Sequence, residues 1–117
     1  MKAGELENRI KDLAYRIVTM CEKLPARKIA KVIESQILRS AFSAAANYRA
    51  ACRGISRKAF IAKLSIAFEE ADETLFWLET IAELKLIPAE KLAALIKESA
   101  ELASILASSR KTLQKKN

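Results

Sequence analysis

Only three places in this chain are chemically suited to turning it. They are Leu24-Pro25, Arg53-Gly54-Ile55-Ser56 and Ile87-Pro88, and they hold both prolines and one of the two glycines among 117 residues. With so little punctuation, and with 51% of the residues hydrophobic and 30% charged, the chain is left with few, long helices. Proline suits the first position of a helix, where its missing N–H is not needed, and glycine ends a helix by taking the left-handed conformation. Ser56 then serves as an N-cap. The predicted helices cover residues 3–24, 26–53, 56–86 and 88–113. They form one all-α domain, an up-and-down antiparallel four-helix bundle large enough to close a core without disulfides or metals.

Apolar spacing separates the outer helices from the inner ones. In the first, Leu6, Ile10, Leu13, Ile17, Met20 and Leu24 recur at steps of three and four, a narrow stripe on one face. The fourth behaves likewise through Leu92, Leu95, Ile96, Ser99, Leu102, Ala103, Leu106 and Leu113. The third carries a main stripe of Phe60, Leu64, Ala67, Ala71, Leu75, Leu78 and Ala82, with a second of Ile66, Trp77, Ile81 and Leu84 roughly 100° away. In the second, Ile29, Ile33, Ile37, Ala44, Tyr48 and Ala51 face one way while Leu38 and Phe42 face another. A helix apolar on two sides needs two partners, and this chain is too short to supply both, so helices two and three are expected to mediate self-association.

A polar seam interrupts the second helix. Gln36, Ser40, Ser43 and Asn47 follow at steps of four, three and four on a face that is aliphatic one or two turns earlier. A buried polar group costs about 1–3 kcal/mol unless it is satisfied, so the seam implies partners. If the helices are straight, residues facing each other across the hairpin near Gly54 sum to about 110, which sets Ser40 near Glu70 and Gln36 near Glu73. Arg39, beside the seam, can pair with Glu70 or Glu73. A solvated face is the plainer alternative.

These residues, together with their neighbours, resemble a known family. Gln36-x-x-Arg39-Ser40-Ala41-x-Ser43-x-x-Ala46-Asn47, Ser56-Arg57-Lys58-x-Phe60, Leu64-x-Ile66-Ala67-x-x-Glu70 and Glu73-x-x-x-Trp77-Leu78 are similar to the bacterial four-helix-bundle proteins related to the product of intervening sequences in 23S ribosomal RNA genes. The resemblance implies an up-down-up-down bundle that assembles as a ring, commonly a pentamer, with a basic surface. It also implies kinship with accessory proteins of diversity-generating retroelements, which engage a reverse transcriptase and nucleic acid. Where many members place an acid and a glycine shortly after the Asn, this chain has Asn47-Tyr48-Arg49-Ala50-Ala51-Cys52-Arg53-Gly54. The acid is absent and two arginines stand in the segment, so a role carried by that acid does not transfer and this end is more basic.

Little in the chain suggests catalysis. Glu69, Glu70, Asp72, Glu73 and Glu79 invite comparison with di-iron carboxylate bundles, but those also use histidine, and this chain has none. The same absence removes Ser–His and Cys–His nucleophiles, and no Gly-rich loop exists to cradle a phosphate. The protein is expected to be no enzyme and to need no cofactor or metal. Cys21 and Cys52, without CxxC spacing, read as reduced, packed thiols. Charges alternate over Met1 to Arg9 where a signal peptide needs an apolar core, and no run approaches the ~20 apolar residues of a membrane span. A soluble cytoplasmic protein with no membrane partner is the expectation.

The net charge of +7 favours polyanions. Arg49, Arg53, Arg57 and Lys58 bracket the central turn, with Lys63 beyond, and Arg49 and Arg53 lie one turn apart on one face. These five are the candidate phosphate contacts. Solvated cations at a helix C-terminus, each worth about 0.3–1 kcal/mol, are the plainer reading. Arg110, Lys111, Lys115 and Lys116 are expected to form a frayed, solvated tail. Trp77 has core or interface spacing, Tyr15 and Tyr48 are similarly placed at helix stripes, and no aromatic interleaves the Arg cluster, so any nucleic-acid contact should be led by phosphates. The expected function is a non-enzymatic oligomeric scaffold that binds RNA, DNA or a ribonucleoprotein. The alternative is an adaptor whose basic face docks an acidic protein.

Overall fold

The computed structural model describes residues 1–115 and contains four helices: α1 (Ala3–Cys21), α2 (Lys28–Cys52), α3 (Arg57–Glu83) and α4 (Ala89–Lys115). Each packs on its neighbours in chain order and α4 closes against α1, an up-and-down bundle measuring 47 × 21 × 20 Å. The α2–α3 pair makes the most extensive contact and α1–α4 the least. No helix is long and apolar enough to cross a membrane.

The breaks lie where the sequence puts them, but they work differently. Ser56 caps α3, its hydroxyl accepting the Ala59 N–H at 3.1 Å. Gly54 is not left-handed. Its lack of a side chain serves close approach instead, since a Cβ there would lie 3.1 Å from the Ala51 carbonyl oxygen. Pro25 does not open α2, because α1 ends at Cys21 and the intervening loop turns with Arg27 N–H donating to the Pro25 carbonyl. The left-handed residue is Lys85, at φ 57°, which ends α3. Leu86 N–H reaches back to the Ile81 carbonyl and Lys85 N–H to the Ala82 carbonyl, the paired bonds of a Schellman ending.

The core is a column of aliphatic side chains, with Ile17, Ile33, Ile37, Leu64, Leu78, Ile81, Leu92, Leu102 and Leu106 fully buried. Four residues change their stripe assignment. Ile81 belongs to this core and not to a second outward face, and Leu38 and Trp77 are half-buried against it. Ile29, placed by its spacing in the core stripe, is 38% exposed in the first turn of α2. What remains open on α2 and α3 is Ile29, Val32, Phe42, Ile66, Phe76 and Leu84.

The seam is satisfied mainly from within. Ser40 and Thr74, both fully buried, face each other across α2 and α3 with their hydroxyl oxygens 2.8 Å apart. Each also reaches a carbonyl of its own helix, Thr74 that of Glu70 and Ser40 that of Ile37, and with two protons among three contacts one hydroxyl donates to the other while that one donates to its carbonyl. Ser40 thus meets Thr74, one turn beyond the Glu70 expected from a sum of about 110. Asn47 donates to the carbonyl and hydroxyl of Ser43. Arg39 takes both carboxylates, donating to Glu70 at 2.6 Å and to Glu73. Glu73 also accepts the Trp77 indole N–H at 3.0 Å, and the guanidinium first, the indole second, hold its carboxyl below the usual range. Trp77 is therefore a half-buried cover over the seam.

Candidate nucleic-acid interface

The five basic residues around the central turn do not form one cluster. Arg49 and Arg53, on the last turns of α2, line a cleft of about 380 Å³ between α1 and α2, together with Glu7, Lys11, Tyr15 and Phe42. Arg53 donates to the Arg49 carbonyl at 3.4 Å and stands 3.8 Å from the Glu7 carboxylate, so it partly caps its own helix. Arg57 turns the other way and donates to the Leu113 carbonyl at 2.6 Å, tying the start of α3 to the last turns of α4. Lys58 and Lys63 are exposed along α3, five residues apart and so roughly 140° apart around it.

That tie brings in the cations of the last turns of α4. α4 is helical through Lys115 and does not fray after residue 113. Arg110 lies over the Phe68 ring at 4.4 Å, and Lys111 and Lys115 are exposed. Lys116 falls outside the described residues. The bundle thereby joins two acid-free stretches at one end. Residues 35–68 hold six cations and no anion, and residues 102–115 hold three cations and no anion, nine cations against a whole net charge of +7. Arg39, the first of these cations, is held by Glu70 and Glu73 of α3, and the other anions near the stretches come from the first half of α1, where Glu5, Glu7 and Asp12 alternate with Arg9 and Lys11. The signal was present in the spacing of acids along the chain, but antiparallel pairing was needed to make it a place.

Aromatic rings do accompany the arginines, contrary to the linear reading. Phe42 is seven residues, about two turns, before Arg49 on the same face of α2. Tyr15 of α1 completes the pair, its ring centroid 6.0 Å from that of Phe42 at 44°.

The cysteines differ from expectation in one respect. Cys21 is buried, its thiol pushed up to about 12 by burial and then by Glu34, whereas Cys52 is exposed and not packed. The neighbouring Tyr48 phenol is raised, first by burial and then by Cys52.

The family described as 23S rRNA-intervening sequence protein matches residues 5–108. Among solved structures, a protein of unknown function from the S23 ribosomal protein family of Bacteroides thetaiotaomicron is similar, with 36% identity and a TM-score of 0.84 over 95% of this chain and 99% of that one. None of the curated proteins matches. With the same four helices, the polar seam between α2 and α3 and a family match that spans nearly all of the bundle, the chain belongs to the 23S rRNA-intervening sequence protein family.

Proposed function

We propose that the protein is a non-enzymatic oligomeric scaffold that binds RNA, DNA or a ribonucleoprotein through the basic end of its bundle. The observation that carries this reading is the meeting of the two acid-free stretches where α2, α3 and α4 come together. Such a field attracts phosphates without selecting sequence. Arg49, Arg53, Lys58, Lys63, Lys111 and Lys115 are exposed to make the contacts.

Self-association is supported by the apolar side chains left open at the far end of the α2–α3 face, Ile29 and Val32 on one helix and Phe76 and Leu84 on or just after the other. A ring of five is the number the family resemblance suggests, and repetition of a modest basic patch around an axis would add affinity without new contacts. Light scattering reads the subunit number. Val32→Glu should dissociate the assembly, and a monomeric wild-type protein would refute it.

Binding to random RNA and DNA at several salt concentrations tests the ligand. Affinity should fall steeply with salt, and Arg53→Glu should weaken binding and flatten the slope. A protein that binds neither at low salt would leave the adaptor reading. One observation favours that second reading: at the opposite end, α1 and α4 part over a cleft of about 290 Å³ with Met20, Ile87, Leu92 and Leu95 as its floor and Arg16, Lys23 and Lys91 at its rim. An acidic partner would meet no lining carboxylate there.

A further inference from the structure

We propose that the α1–α2 cleft stacks unpaired bases on Tyr15 and Phe42 while Lys11, Arg49 and Arg53 hold the neighbouring phosphates, so that single-stranded nucleic acid is preferred to duplex. The inference rests on the nucleic-acid reading and adds to it a class of substrate and a pair of residues.

Seven aromatic side chains serve the whole protein. Four are half-buried or buried and Phe76, exposed, packs edge-on against Trp77, whereas Tyr15, 55% exposed, and Phe42, 39% exposed, lie on adjacent helices in the same cleft as three cations. Their centroids are 6.0 Å apart at 44°, a tilted and not a stacked pair, and both residues are exposed. The ring of Phe42 stands about 10 Å along the helix axis from Arg49, and Arg53 lies one turn further. Lys11 is one turn from Tyr15 on α1. The rings thus occupy one end of the cleft and the cations the other, the combination that suits a strand with its bases turned inward and its backbone along the charges.

The charge balance fits the same occupant. Glu7 is the one anion lining the cleft, and Arg53 faces it at 3.8 Å. Arg49 and Lys11 make no side-chain ion pair among the described residues. In a duplex the base faces are already stacked on one another, so the rings offer it nothing and the cations act alone. In a single strand each base has a free π-face.

The test compares labelled oligouridine and oligothymidine with a duplex of the same length by fluorescence anisotropy, at one low salt concentration, using the full chain. Tyr15→Leu and Phe42→Leu keep an apolar contact between α1 and α2 but remove the ring, and a thermal melt checks that the bundle persists. The wild type should prefer the single strands. Each leucine variant should weaken single-strand binding by about 5- to 160-fold, the range of one lost base stack, and leave duplex affinity unchanged. Equal affinity for both forms, or equal losses for both in the variants, would overturn base stacking while the phosphate-led reading stands. Wild-type protein that binds none of the probes would remove the nucleic-acid reading itself, and the stacking with it.

Discussion

The buried hydroxyl pair between α2 and α3 gives the sharpest test of how this bundle sets its register. In Ser40→Ala the Thr74 hydroxyl keeps the Glu70 carbonyl, and in Thr74→Val the Ser40 hydroxyl keeps the Ile37 carbonyl, so neither variant strands a polar group. Each loses the bond between oxygens 2.8 Å apart in a site closed to water, and the contact its own hydroxyl makes with a helix carbonyl adds little, because that carbonyl already accepts the helix N–H. A hydrogen bond of that kind contributes about 1 kcal/mol net. Each single variant should therefore be destabilised by about 1 kcal/mol, which for a domain of this size lowers Tm by about 4 °C. The double variant removes only the remaining hydroxyl-to-carbonyl contact besides, which contributes little, so it should cost about the same as either single one. The cycle then returns a coupling of about 1 kcal/mol, against zero for independent sites. Urea melts at matched protomer concentration measure it, because an oligomer's stability depends on concentration. Additive losses, with coupling below about 0.3 kcal/mol, would mean the two hydroxyls do not bond and that register is set by aliphatic packing alone.

Three further outcomes are expected. Arg39 holds the Glu73 carboxyl low in the folded state, so this contribution to stability is present above the ordinary carboxylate range and is lost as pH falls through the depressed value. Arg39→Gln should thus cost up to about 1 kcal/mol at neutral pH, with the gap to wild type closing below about pH 4 in acid-unfolding curves; a gap that persists there would contradict the pairing. Lys85 ends α3 with φ 57°, a conformation glycine adopts freely, so Lys85→Gly should raise stability by about 1 kcal/mol in a chemical melt, and a loss would show that the side chain itself is needed. The Ser99 hydroxyl is buried without a hydrogen-bond partner among the described residues, so Ser99→Ala should be neutral or stabilising by up to about 1–2 kcal/mol in thermal unfolding, and a marked loss would reveal a partner.

By itself the sequence determined the number of helices, their approximate ends, the Ser56 cap, the deep stripes of α1 and α4 and the engagement of Arg39 by carboxylates of α3. These follow from chemistry local to a turn or two: scarce helix breakers, a capping oxygen, and apolar residues at helical spacing. Only the tertiary structure decided what lies between helices. It set Ser40 against Thr74 instead of Glu70, drew Ile81 inward, left Ile29 in the open, turned Arg57 toward Leu113 and set Tyr15 beside Phe42. The reason is geometric. Side chains at the margin of an apolar stripe are assigned by the axial offset and rotation of the neighbouring helix, and a shift of one turn leaves the spacing within each helix unchanged while changing every partner across the gap. Charge obeys the same logic, for acid-free stretches far apart in the chain become one surface only when antiparallel packing brings their ends together.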